Sequence, residues 1–174
     1  QSEVYTPMGV TAENVARQWK ISREDQDQFA LQSQIRYQKA FQAHKFKDEI
    51  VSVEIPQKKG NSIIVDKDEH PRETTLAKLA SLQPAFAKEG TVTAGNSSGI
   101  NDGASVCLIV SEDALKKLNL TPLVRIVTTS VAGVHPDYMG IGPVSATNKI
   151  IQRSNLKITN IDLIELNEAF ASQA

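Results

Sequence analysis

The sequence predicts an α/β fold, and three observations carry that prediction. Up to His44, apolar residues recur at helical spacing in two stretches. Later, β-prone apolar runs at 91–93, 105–111, 123–134 and 162–166 are bounded by glycine, proline or helix-starting residues. Between the first two runs lies Gly90–Ser105, GTVTAGNSSGINDGAS, a glycine-rich loop of the kind that joins buried strands.

Taken in order, residues 1–9 read as loop, broken by Pro7 and Gly9. Thr11 is placed to cap a short helix with Ala12, Val15, Ala16 and Trp19 along one face. Ser22 caps the next helix, where Glu24 and Asp25 meet the positive end of the helix dipole. This helix is expected to run to about His44, burying Phe29, Ala30, Tyr37, Ala40 and Phe41, with its glutamines and charges as a solvated face. Glu49–Ile55 and Ser62–Asp66 flank a turn at 58–61 and predict a hairpin. A polar loop, Asp66–Arg72, leads to a short helix, Thr75–Leu82, before Pro84. Ser105–Ser111 predicts a buried strand and Glu112–Leu118 a short amphipathic helix. Thr121-Pro122 marks a boundary, and Leu123–Val134 a β-prone run beyond it. Pro143 suits the first turn of a helix to about Arg153. Asp162–Leu166 predicts a buried strand, and Asn167 the start of a final helix.

Composition removes several function classes. The 174 residues are 40% hydrophobic with a formal net charge of −1, which supports one core or two small ones. So neutral a chain has no electrostatic footprint for nucleic acid or an anionic membrane. No apolar run approaches the roughly 20 residues of a membrane span. One cysteine excludes an internal disulfide framework. His44, His70 and His135 fit no metal-ligand spacing. Cys107 lies in the apolar run SVCLIVS without a basic neighbour, so it is expected to be buried and structural, not nucleophilic. The chain starts at Gln1 and stops within an expected helix, and is read as a fragment of a longer protein.

The glycine-rich loop admits two readings. Gly95, Gly99 and Gly103 can simply turn a corner, or they can let a slender polar ligand lie against the main chain. Asn96, Ser97, Ser98, Asn101 and Asp102 supply short groups that hold turns. No Lys-Ser/Thr follows the last glycine and no GxGxxG is present, so neither nucleotide-loop pattern applies.

GNSSGINDGAS resembles the thiolase stretch next to the loop that contacts coenzyme A. GVHPDYMGIGP at 133–143 and NEAFASQA at 167–174 resemble later thiolase segments, while PMGVTAENVA at 7–16 and SREDQD at 22–27 resemble earlier ones. The resemblance covers the chain end to end in family order and is nearest the acetyl-CoA acetyltransferase branch. It implies α-β-α-β-α layers. Residues 1–100 would form part of the loop domain that covers the active site and grips coenzyme A. Residues 101–120 would end the N-terminal domain, and 121–174 would start the C-terminal one.

The resemblance also implies an acyltransferase acting through an acylated cysteine, with coenzyme A thioesters as substrates and no further cofactor. Condensation of two acetyl-CoA, thiolysis of longer 3-ketoacyl-CoA, and non-catalytic coenzyme A or lipid binding all fit it. It implies a homodimer or homotetramer for the full-length protein, no nucleic-acid or membrane partner, and a cytoplasmic location.

Residue by residue, Met8 matches the methionine bordering the pantetheine and acyl group, and Met139 a residue lining the acyl pocket, though a lone methionine such as Met139 is more commonly a core filler. Arg72 matches a cation for the phosphates, beside the simpler reading of an exposed loop arginine. Phe86 matches an aromatic that packs on coenzyme A, and Phe170 one at the pantetheine entrance. Ala94 is expected close to the ligand, and Ser98 to hydrogen-bond a pantetheine amide. Asn167 matches the asparagine that holds an oxyanion-hole water; read alone it is a helix cap. Glu168 reads as a structural partner. Pro7 departs from the histidine found there in many acetoacetyl-CoA-forming members, and a proline cannot make a histidine's hydrogen bond. Neither catalytic cysteine nor the catalytic histidine of the family has a match here, so this stretch alone is expected to have no turnover.

Overall fold

The computed structural model describes residues 5–174, so the start of the expected N-terminal loop lies outside the described residues. Pro7 begins the first helix, α1 (Met8–Trp19), because its carbonyl accepts from the N–H groups of Val10 and Thr11. Thr11 is therefore not the cap. It sits one turn inside, buried, with its hydroxyl donating back to the Met8 carbonyl at 2.7 Å. Lys20 closes α1 in the left-handed region, at φ 57°.

Ser22 caps α2 (Arg23–Gln42) in a reciprocal capping box with Asp25. The two hydrogen bonds from Ser22, side chain first and backbone second, hold the Asp25 carboxyl below its ordinary value. The helix stops two residues short of His44, whose φ of 56° turns the chain away. Of its expected buried residues only Ala30 is fully buried, and Phe41 is exposed. Gln26 and Asp27, assigned to the solvated face, are instead buried. Their partners lie some 65 residues away in sequence, which is why helical periodicity does not find them. Tyr37 stacks between Phe41 and Phe46 and donates to Asp68 Oδ2 at 3.1 Å; burial, then that bond, pushes its phenol pKa up.

The hairpin forms as β1 (Val53–Ile55) and β2 (Ile63–Val65), antiparallel, with Glu54 opposite Ile64. It is shorter than the apolar pattern suggests. Thr75 caps α3 (Leu76–Ala80), which packs on α2 through the Arg23 guanidinium: one amine donates to the Leu79 and Leu82 carbonyls at 2.7 and 2.9 Å. Ala12, Val15, Ala16, Ala30, Leu79 and Val92 form the buried apolar core, at the junction of α1, α2, α3 and the 91–97 loop.

Past that loop the expected strands do not form. Residues 105–111, 123–134 and 162–166 have no regular structure and no strand partner, and β1–β2 is the one sheet among the described residues. Val106, Leu123 and Leu163 are exposed accordingly. Cys107 is exposed too, against the buried position expected for it. A strand takes its hydrogen bonds from a neighbour, and no neighbouring strand lies beside these runs. The layered α-β-α-β-α arrangement is thus not visible among the described residues.

Ser111 caps α4 (Glu112–Lys117). A 3-10 helix, Pro136–Ile141, leads directly into α5 (Gly142–Ser154), which has Pro143 in its first turn as expected. Lys149 Nζ and an Arg153 amine donate to the carbonyls of Val131 and Thr129, tying α5 to the chain before it. The 3-10 helix packs on α1: Asn14 Nδ2 donates to Asp137 O at 3.2 Å, and Trp19 meets Tyr138 edge to face at 5.9 Å. No helix among the described residues is long and apolar enough to cross a membrane.

Candidate functional site

The glycine-rich loop is held from below by buried polar groups. Glu13, on α1, accepts from Thr91 N and Val92 N at 2.9 Å and from Thr91 Oγ1 at 3.2 Å. From α2, Gln26 Nε2 donates to Thr91 Oγ1 at 2.9 Å. Asp27 Oδ1 accepts from Asn96 Nδ2 at 3.0 Å while its Oδ2 is paired with Arg23. Asn96 uses the rest of its amide on the loop itself, accepting from Thr93 N at 2.8 Å and donating to Thr91 O at 3.0 Å. A loop without a strand ladder thus has its buried backbone groups satisfied by side chains. Gly95 lies so close to Leu79 and Leu82 that a Cβ there would stand 2.6 Å from each.

On this platform rests the end of the chain. Ser98 N donates to Ala169 O and Ala171 N to Asn96 O, both at 2.9 Å, around an antiparallel bridge between Ser97 and Phe170. The expected final helix is therefore absent: residues 161–168 have no regular structure, Phe170 pairs with the loop, and 171–173 form a turn. Pairing with the 96–98 backbone satisfies the groups that a helix would otherwise have bonded internally. Glu168 does find a structural partner, Ser33 Oγ, at 2.6 Å.

A cleft of about 310 Å³ opens where α1, the 3-10 helix and 165–173 meet. Met8, Met139, Asn167 and Phe170, more than 150 residues apart at the extremes, all line it. Thr11, Ala12, Leu166 and Ala169 contribute to its walls, with Glu165 as its one acidic residue. Met8 and Met139 are each about half exposed, so Met139 is not the core filler it could have been. Phe86 stands beside the cleft, edge to face with Phe170 at 6.1 Å. Its ring also covers Gly9 so closely that a Cβ there would overlap it.

The other expected site residues are not brought into the cleft. Ser98 touches it only through its backbone bond to Ala169, and Ala94 is exposed on the turn of the loop. Arg72 borders a second groove of about 310 Å³, along α2 with Gln34, Gln38 and Lys39, and its N–H donates to Gln34 Oε1. Among the described residues no cluster of histidine, cysteine, aspartate or glutamate could hold a metal ion. A largely apolar cleft with two primary amides, Asn167 and Gln173, can hold a thin chain and orient a water, because an amide both donates and accepts. Cys107 does not line it. Glu13, Asp27 and Asn96 were missed as supports, since a carboxylate bonded to an amide 78 positions away leaves no local signature.

The description "Thiolase, N-terminal domain" fits residues 2–113 and "Thiolase, C-terminal domain" fits residues 120–174. The chain is 52% identical over 168 residues to a probable acetyl-CoA acyltransferase of Staphylococcus epidermidis, covering 96% of this chain and 43% of that protein. It is 51% identical to an acetyl-CoA acetyltransferase of Paracoccus denitrificans, with the same coverages. The crystal structure of the Bacillus anthracis acetyl-CoA acetyltransferase superposes with a TM-score of 0.85 at 48% identity, covering 95% of this chain and 42% of that one. The crystal structure of human mitochondrial 3-ketoacyl-CoA thiolase superposes with a TM-score of 0.88 at 49% identity, covering 99% and 44%. The chain thus spans less than half the length of these relatives.

Proposed function

The chain belongs to the thiolase family, spanning the end of its N-terminal and the start of its C-terminal domain, and from that premise we propose that the complete protein is an acetyl-CoA acetyltransferase. It condenses two acetyl-CoA into acetoacetyl-CoA and free coenzyme A, and runs the thiolytic reverse. The observation that carries this reading is the cleft, where Met8, Met139, Asn167 and Phe170 converge from three parts of the chain. The acyl end sits between the two methionines, which are flexible enough to follow its shape. The Asn167 amide holds a water against the thioester oxygen, where negative charge builds as a nucleophile adds. Phe170 and Phe86 flank the pantetheine entrance, Ser98 bonds a pantetheine amide past the exposed Ala94, and Arg72 reaches the phosphates.

The nucleophilic cysteine that takes up the acyl group, splitting one hard step into two, is supplied outside this stretch. The second reading is a 3-ketoacyl-CoA thiolase of broader chain length. Pro7 favours it, because a histidine's hydrogen bond at that position is lost.

Cleavage of acetoacetyl-CoA and of longer 3-ketoacyl-CoA by the complete protein separates the two readings. In the same assay Asn167→Ala is expected to lower kcat by about 10²–10³, the usual cost of one oxyanion-hole donor. Coenzyme A binding without any cleavage would leave only a carrier role, and turnover by residues 1–174 alone would contradict the assignment of the nucleophile.

A further inference from the structure

Asn167 stands on a segment, residues 161–168, that forms neither helix nor strand. What fixes it lies just past it. Ser33 Oγ on α2 donates to Glu168 Oε2 at 2.6 Å. Ser98 N donates to Ala169 O and Ala171 N to Asn96 O. Ser172 Oγ donates to Ala12 O at 3.1 Å. Asn96 is the most fully hydrogen-bonded of these anchors. It is 3% exposed, and its amide is committed to Thr93 N, Thr91 O and Asp27 Oδ1. Neither Asn96 nor Ser33 lines the cleft, whereas Asn167, Ala169 and Phe170 do.

We propose that Asn96 and Ser33 are positioning residues that set Asn167 and Phe170 on the cleft, acting through the main chain and Glu168 of the 168–171 segment. The proposal rests on reading that cleft as the acyl-CoA site. Asn96 is suited to the role because the atom facing Asp27 and the Thr91 carbonyl must be a donor to both. An aspartate of the same shape would set a carboxylate against two acceptors and leave the loop pushed away from α2. The Ser33 anchor is partly exposed, so its loss should leave the fold intact.

The test compares Ser33→Ala, Ser33→Thr and Asn96→Asp in the complete protein. A displacement near 1 Å at a reacting centre costs up to about 10²-fold in rate. Ser33→Ala is expected to lower kcat for acetoacetyl-CoA cleavage about tenfold with KM within about twofold and an unchanged melting temperature. Ser33→Thr, which keeps a hydroxyl, restores kcat. Asn96→Asp lowers kcat about a hundredfold; if it does not fold, Ser33→Ala decides alone. Hydrogen exchange at the Ala171 amide, which donates to Asn96, is expected to quicken about tenfold in Ser33→Ala. Native kcat together with native Ala171 exchange in that variant overturns the proposal, as does a loss that Ser33→Thr fails to restore. If the unaltered complete protein cleaves no acyl-CoA, the function proposed above fails instead. Exchange at Ala171 then decides the anchoring by itself, faster exchange supporting it and unchanged exchange overturning it.

Discussion

Replacing Glu13 by alanine removes the side chain that accepts from the main chain at the start of the glycine-rich loop. Glu13 is 4% exposed and its carboxylate takes the N–H groups of Thr91 and Val92, each at 2.9 Å. Val92 is completely buried, so its N–H has no water to turn to. An orphaned buried donor costs about 1–3 kcal/mol, and two of them about 4 kcal/mol in all. At 1.36 kcal/mol per factor of ten, that opens the loop about 10³-fold more often. Native-state hydrogen exchange at the Thr91 and Val92 amides of the complete protein reads this directly, since exchange there follows local opening. Glu13→Gln keeps one acceptor oxygen and should fall between, with about a tenfold effect from a single lost bond. Exchange in Glu13→Ala within about threefold of the native rate would refute the reasoning, because it would mean that something else satisfies those two donors.

Two further perturbations act elsewhere. Gly9→Ala places a methyl group inside the space of the Phe86 ring, and overpacking of that kind costs about 1–3 kcal/mol. Displacing Phe86 also breaks its edge contact with Phe170, so coenzyme A affinity, measured by calorimetry on the complete protein, should fall while Gly133→Ala, which meets open space, leaves it unchanged. Asp25 has a folded pKa below the ordinary 3.8, so its hydrogen bonds with Ser22 stabilise α2 fully above that value. The contribution fades as pH falls through the lower folded value. Thermal melts should therefore show Asp25→Asn less stable than the native protein at neutral pH and converging with it in strong acid. A gap that persists unchanged at the acid end would contradict the assignment.

How much of this was legible in the sequence depended on whether the signal was local. Ser22 with Asp25 announced its helix because a cap is satisfied within three residues, and Pro143 announced another because its fixed φ suits a first turn. The hairpin was legible for the same reason. Thr11 misled because a hydroxyl three residues into a helix can bond backward as well as cap. The apolar runs at 105–111, 123–134 and 162–166 carry strand composition, but strand pairing belongs to two segments, and no second segment stands beside them. In the site, ordered motifs pointed to Met8, Met139, Asn167 and Phe170, which the fold gathers at one cleft. The same motifs said nothing of Glu13, Asp27 or the structural part of Asn96, whose partners were set by long-range folding. Buried acids and amides on a helix look like solvated ones until their acceptors and donors are in view.

The central claim is that the cleft between α1, the 3-10 helix and 165–173 receives the thioester end of an acyl-CoA. A crystal structure of the complete protein with bound acetyl-CoA tests it most directly. The account predicts the pantetheine arm passing Ser98 and Phe86, the acetyl group between Met8 and Met139, and an ordered water on Asn167. Acetyl-CoA bound elsewhere, for instance lying wholly in the groove of Arg72 and Gln38 with the cleft empty, would contradict it.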